Sequence, residues 1–363
     1  MSKFYRFLMI VLFVTLLATA CAPNPAAVVS TTAPAESRAD LSGIKSYLLD
    51  KGEALGERSL ALQEASNRYY ALAVSAAFDY AALWAAQPAE VSAALQDAKT
   101  AWLAASPLYE QMEGIVAGVP SLSQYDVVLD AGASGAEDPE NAAPFDLELP
   151  DGRVLAKPGN LFGILESALW GTEPEYTRTE VEPDLDGNGA VDFGEALPDA
   201  NVLKGAADLF QQFVTEMGAA SQAWEPTESD SFTALVVMIP TMNEYFNSWK
   251  NSRFVAGDQF TQRDFVAISR LSDIQDILGS LQVVYQGVEP LVGTVSTDQA
   301  DQIETSLADL KSFVAGVHSE ESSGKRFSPE DADILGAEAQ DRATALAGQI
   351  AQIAARLNIQ IEE

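Results

Sequence analysis

One cysteine and one histidine are all that 363 residues contain of either type. Cys21 has no partner within the chain, so an internal disulfide is excluded. His318 would have to serve any Ser-His-Asp or Cys-His site alone, yet it sits in the polar run Gly316-Val-His-Ser-Glu-Glu-Ser-Ser-Gly324, a surface setting. Histidine-rich zinc and copper sites are excluded with it, and any metal chemistry must rest on oxygen ligands. Basic residues are also few: 21 Lys and Arg face 53 Asp and Glu, a net charge of -32 and a pI near 4.1. Such a surface repels nucleic acid and anionic membranes and favours cations, although acidity also serves solubility. No glycine-rich phosphate loop, dinucleotide fingerprint or H-E-x-x-H helix is found, which disfavours nucleotide binding and zinc-type peptide hydrolysis.

What is present begins with a leader. Lys3 and Arg6 precede the apolar run Phe7 to Leu17 and the small residues Ala18-Thr19-Ala20, a secretory signal too short to span a membrane well. It ends at Cys21, whose thiol is placed to take the lipid of a bacterial lipoprotein. Residues 1–20 thus read as a lipoprotein signal peptide. Residues 21–40, rich in Ala, Pro, Ser and Thr, read as a flexible tether. The expected location is the cell envelope, on a periplasmic or extracellular face, with the membrane as a partner through the lipid anchor.

The remainder, 41–357, is read as all-α. Apolar residues recur at helical spacing from Leu41 to Gln87, and from Pro88 to Ile115 with an irregularity expected at Pro107. Further helices are expected over 161–170, 201–224, 231–255 with a kink at Pro240, 263–288, 297–318 and 329–357. Ser328 should cap the last, with Pro329 at its first position. Within the Gly- and Pro-rich stretch 118–159, Phe145 to Leu155 alternates about a Pro-Asp-Gly turn, predicting one small β-hairpin. The expected architecture is two antiparallel helical bundles, about 41–170 and 201–357, joined by an acidic connection at about 171–200.

That connection carries the sharpest motif. In Asp184-Leu-Asp-Gly-Asn-Gly-Ala-Val-Asp-Phe-Gly-Glu195, oxygen side chains fall at loop positions 1, 3, 5, 9 and 12: Asp184, Asp186, Asn188, Asp192 and Glu195. Gly189 occupies the sharp turn at position 6, Ala190 offers its carbonyl at position 7, and Val191 is the apolar residue such loops tuck inward. The spacing is that of a loop that wraps Ca²⁺; the bland alternative is a solvated acidic turn. Pro183 and Pro198 bar flanking helices and no second loop exists, so the expectation is a structural calcium staple, not a sensor.

Four segments carry a resemblance. They are Ala101-Trp102 through Tyr109-Glu110-Gln-Met-Glu113-Gly114, then Glu166-Ser-Ala-Leu-Trp-Gly171, then Tyr245-Phe-Asn-Ser-Trp-Lys250, and Ser269-Arg-Leu-Ser-Asp-Ile-Gln-Asp-Ile-Leu278. In order and spacing they resemble the imelysin-like family, which includes iron-uptake lipoproteins and insulin-cleaving membrane peptidases. The resemblance implies two helical bundles with a metal site between them, to which Glu113 and Glu166 would contribute. It also implies a loss. With Glu166 at the glutamate of the family's G-x-H-x-x-E signature, Leu161 stands at the glycine and Gly163 at the histidine. Only hard ligands then remain, suited to Fe(III) or Ca²⁺ through carboxylates and water, or to no ion at all. The expected function is a lipid-anchored, non-enzymatic cation-binding protein, with iron a candidate and an iron-transport or surface protein as a further partner. The alternative is a surface protein with a degenerate site and a protein or polysaccharide partner. Nucleic acid is not an expected partner.

Overall fold

The first long helix, α1 (Ser42–Ser75), buries Ile44, Leu48, Leu55, Leu62, Tyr69 and Ala73, one stripe at three- and four-residue spacing. The computed structural model describes residues 38–362. The leader 1–20, Cys21 and nearly all of the tether 21–40 lie outside the described residues. After a short α2 (Tyr80–Ala86), Pro88 opens α3 (Pro88–Val116) from its first position, where the missing N–H costs nothing. The irregularity expected at Pro107 is not found, and α3 runs through it unbroken. A short α4 (Ser123–Asp126) continues into a single π-helical turn, Val127–Ala131.

The hairpin forms as expected from β1 (Leu147–Glu148) and β2 (Val154–Leu155), antiparallel, with Leu147 opposite Leu155. Next, α5 (Leu161–Trp170) starts at Asn160, whose side chain accepts from the Gly163 N–H, and stops at Gly171 in the left-handed conformation. The acidic connection follows without helical flanks, and an isolated antiparallel bridge between Thr177 and Pro198 closes its base. There α6 (Ala200–Ala223) begins, capped by Asp199.

The remaining helices depart from expectation at two points, an extra break at Ser252 and a late start of α10. A capping box at Thr227 and Asp230 starts α7 (Glu228–Met238). Pro240 then breaks the run as expected, leaving α8 (Met242–Asn251) and a one-turn α9 (Arg253–Ala256). A helix was expected from Arg263, but residues 263–269 are irregular and α10 (Arg270–Val295) starts later, capped by Ser269. The cause is a carboxylate from α5, described below, that takes two of the backbone amides. Finally come α11 (Thr297–Ser322) and α12 (Pro329–Leu357), the latter with a full capping box between Ser328 and Asp331.

The described chain is all-α apart from the hairpin. One bundle is built on α1, α3 and α6, the other on α7, α8, α10, α11 and α12, and α3 against α10 joins them. The expected division at residue 201 therefore moves, because α6 packs along α1 and α5 and belongs to the first bundle. The closed base of the acidic connection explains this: the chain leaves α5 and re-enters beside it. Tyr80 accepts from the Ala200 N–H at 2.9 Å and Tyr69 donates to the Pro198 carbonyl at 2.9 Å, which pins the re-entry to α1 and α2. Phe162 meets Trp102 and Phe210 edge to face in the core and Trp102 is tilted against Phe210, centroids 4.7 to 6.0 Å apart.

Candidate functional site

Glu110 and Glu113 lie three residues apart on α3, so both project from one helix face. That face meets α10, whose first turn brings Arg270 and Asp273. Asp126 ends α4 and Asp130 follows one turn later on the π-helical segment. All six side chains are buried. Arg270 donates to Glu110 Oε2 at 3.2 Å and Asp130 Oδ2 at 3.2 Å, and pairs more loosely with Asp273 Oδ2 at 3.5 Å. Its guanidinium is sandwiched between the rings of Phe265 (4.0 Å) and Tyr245 (4.6 Å). Tyr245 donates to Glu113 Oε1 at 2.7 Å, and Tyr109 to Asp126 Oδ1 at 2.6 Å.

Five buried carboxyl groups therefore share one guanidinium. They cannot all ionise without a second positive charge, because buried like charges raise one another's pKa. Burial, followed by the neighbouring carboxylates, holds Glu110, Asp126 and Asp273 well above the ordinary range despite Arg270. Burial pushes Asp130 up to about 7 against the pull of Arg270. Four oxygens remain without any hydrogen-bond partner: Glu110 Oε1, Glu113 Oε2, Asp130 Oδ1 and Asp273 Oδ1. Buried polar atoms are rarely left so. Glu110, Glu113 and Asp130 each present an oxygen within 4.8 Å of the others. Ligands on opposite sides of a calcium-sized ion are about 5 Å apart, so the trio fits a hard cation. Beside it opens a cavity of about 530 Å³, lined further by Asp126, Glu137, Glu173, Glu244 and Asp264.

Glu166 has a different task. It is buried on α5, and its Oε1 accepts from the Val266 N–H at 2.7 Å and the Ala267 N–H at 2.8 Å, its Oε2 from the Trp102 indole at 3.2 Å. Burial raises it to about 7 even against these three donors. The carboxylate is fully engaged in holding residues 266–267 and is not among the converging oxygens. The expected pairing of Glu113 with Glu166 as ligands is thus not what the structure assembles. Gly163, at the place of the motif histidine, faces Asp264: a Cβ there would lie 3.3 Å from Asp264 Oδ2. An aspartate from the irregular segment fills that space, and burial raises its pKa.

The acidic loop is held closed by carboxylates that accept from its own amides. Gly187 and Gly189 both take positive φ. Asp184 accepts from the amides of Gly187, Asn188 and Gly189 at 2.8 to 3.1 Å. Glu195 accepts from Leu185, Asp186 and Asp192 at 2.6 to 3.0 Å, drawing both ends together. Asp184, Asp186 and Glu195 place oxygens within 4.8 Å of one another. Asn188 Nδ2 bridges Asp186 and Asp192 at 3.0 Å each. Ala190 uses its N–H on Asn188 Oδ1. From α3, Gln96 donates to the Leu185 carbonyl at 2.7 Å and Lys99 to the Gly194 carbonyl. One expectation fails: Val191 is 49% exposed instead of tucked inward, and Leu185 is the buried residue. With no second loop to cover it, position 8 has nothing to pack against.

Sequence reasoning singled out Glu113 but assigned no role to Glu110, Asp126, Asp130, Arg270 or Asp273. The available signal was acids at helical spacing inside apolar runs, Glu110 with Glu113 and Asp126 with Asp130. His318 is half-buried on α11 and is no part of this site. Comparison with protein families matches residues 52–355 to the family described as imelysin, which carries a peptidase name. The chain belongs to the imelysin family. No curated protein matches it.

Proposed function

We propose that this imelysin-family chain is an extracytoplasmic binding protein that captures a hard cation at the buried carboxylates between its two bundles. The observation that carries the reading is the set of four buried, unpartnered carboxylate oxygens on Glu110, Glu113, Asp130 and Asp273. A cation would satisfy them and supply the positive charge that five acids and one arginine lack. Glu110, Glu113 and Asp130 are the proposed ligands, with the Tyr245 hydroxyl beside them. An all-oxygen set of carboxylates favours hard ions, Fe(III) or Ca²⁺, over zinc or copper. Iron is the cargo proposed. Asp264 offers a further acid where the motif histidine is missing.

Two accessory assignments belong to the same proposal. The loop from Asp184 to Glu195 takes a structural Ca²⁺ through Asp184, Asp186, Asn188, the Ala190 carbonyl, Asp192 and Glu195. Cys21 carries the lipid that tethers the domain in the cell envelope, where an iron-transport or surface protein would receive it; among the described residues no helix is long and apolar enough to cross a membrane. The activity is proposed to be binding and not hydrolysis, since no histidine stands near the acids to act with them. Turnover of a peptide library, lost on chelation, would overturn that part.

The position of Arg270 favours a second reading. It already neutralises Glu110, Asp130 and Asp273, as a resident counter-ion would in a degenerate site whose protein serves a protein or polysaccharide partner. Metal titration of the intact chain separates the two, with ferric citrate and calcium run separately. The first reading expects one iron site lost in Glu113→Gln/Asp130→Asn, and one calcium site lost in Glu195→Ala. Absence of saturable iron binding leaves the degenerate site.

A further inference from the structure

A second cavity, of about 730 Å³, is lined in part by Gly257, Phe260 and Ala267 to Ser269, around the start of α10. Arg253 and Arg326 both line it. In this acidic chain Arg68, Arg153, Arg178, Arg263, Arg270 and Arg342 each hold a carboxylate. Among the described residues, neither Arg253 nor Arg326 has one within ion-pair distance. The two guanidiniums also feel each other: after burial, the charge of Arg326 is what lowers the pKa of Arg253. Two acids reach the cavity. Glu321 is occupied by the Trp249 indole at 2.6 Å, and Asp258 is exposed at the rim.

His318 completes the lining, and its tautomer can be deduced. Gln275 Nε2 lies 2.7 Å from the Leu271 carbonyl and 2.9 Å from His318 Nδ1. A carbonyl only accepts, so that atom must be the amide NH₂, which only donates. Nδ1 is therefore the acceptor and the neutral ring carries its proton on Nε2. Any polar contact that Nε2 makes is a donated one. Ser269 and Ser272, at the start of α10, bring hydroxyls and the positive end of a 26-residue helix. Phe193 supplies an apolar wall, with Arg253 stacked 3.9 Å from its ring centroid, which fixes that guanidinium in place without neutralising it.

We infer that this cavity is a binding site for a small oxyanion, a phosphate or carboxylate group held between Arg253 and Arg326 with His318 as a neutral donor. A planar guanidinium pre-set by stacking is suited to bidentate oxyanion recognition. The assignment does not depend on the proposed cation site, whose ligands Glu110, Glu113 and Asp130 do not line this cavity.

The test is calorimetric titration of the intact chain with inorganic phosphate and, separately, with succinate. The titration is run in chelator and repeated with calcium at about 0.1 mM, far below the probe, because Phe193 belongs to the Asp184–Glu195 loop; binding in either condition counts. Saturable one-site binding of either probe is expected, and which probe binds decides between phosphate and carboxylate ligands. Arg326→Gln should weaken it about tenfold or more, the usual cost of losing one charge-assisted contact. Arg326 is exposed, so this variant keeps its fold; an unchanged melting temperature verifies it. Arg253→Lys, which keeps the charge but loses the planar stack, should weaken binding as well. Arg342→Gln, paired with Glu338 elsewhere on the surface, should leave it unchanged. No saturation with either probe up to about 10 mM would overturn the inference. So would undiminished binding in Arg326→Gln, or an equal loss in Arg342→Gln.

Discussion

Replacing Asp130 by asparagine should stabilise the metal-free protein at pH 8, although it removes one partner of a buried arginine. Asp130 is buried, one oxygen faces Arg270 at 3.2 Å and the other has no partner. Its pKa rises from 3.8 to about 7 on folding. A raised carboxyl pKa means that the folded state binds the proton more tightly than the unfolded state. The stability it contributes is complete below pH 3.8 and is lost as the pH climbs to about 7. About three pH units at about 1.4 kcal/mol each gives an upper limit near 4 kcal/mol for the cost of ionising Asp130 at pH 8. Asparagine never ionises and keeps an acceptor for Arg270, but it still buries an amide. Roughly half that limit, about 2 kcal/mol, is the expected gain. Urea unfolding, followed through the buried Trp102 and Trp249, measures it. In chelator, the advantage of Asp130→Asn should shrink as the pH falls from 7 towards 4. With ferric iron present it should reverse, because the variant lacks an anionic ligand while an ion at a hundred times its Kd stabilises the parent by about 2.7 kcal/mol. If the variant is instead destabilised equally at every pH, Asp130 is an ordinary ion-pair partner of Arg270 and the cation reading is wrong.

Two further outcomes are expected. Glu166→Gln keeps an acceptor for Val266 and Ala267 but turns an N–H donor towards the Trp102 indole, so it should cost about 2 kcal/mol and speed amide hydrogen exchange at residues 266–267; protection unchanged from the parent would remove Glu166 as the holder of that segment. Ser328→Ala breaks the capping box of α12 and should lower stability by about 1 kcal/mol in urea without altering ion or anion binding.

The helices were legible where their ends are written locally. Pro88, Asn160, Gly171 and the Ser328-Pro329 pair each set a boundary through their own backbone chemistry, and the structure keeps all four. Residues 263–269 were not legible, because apolar spacing there suits a helix and the amides are drawn off by Glu166, a hundred positions earlier. The placement of α6 failed for a related reason. Its sequence shows an apolar face but not which bundle the face will meet, and that is decided by the bridge between Thr177 and Pro198. Of the candidate site, Glu113 was visible through the family pattern. Arg270 and Asp273 share a face of α10, but they join Asp130 and the α3 acids only when α10 is laid against α3, and nothing local marks residues 140 positions apart as neighbours.

Residues 257–269 contribute to both cavities, Thr261 to Phe265 lining the acid-rich one and Gly257, Asp258, Phe260 and Ala267 to Ser269 the one that holds Arg253 and Arg326. Phe265 and Val266, buried in the same segment, are apolar and screen charge poorly. A cation at the proposed carboxylate site and an anion at the proposed arginine site would attract through a medium less polarisable than water. If both proposed ligands bind, each would be held more tightly when the other is present, by the same factor in both directions. The molecule would load as a neutral salt, not as a lone ion, and release either half most readily after the other has gone.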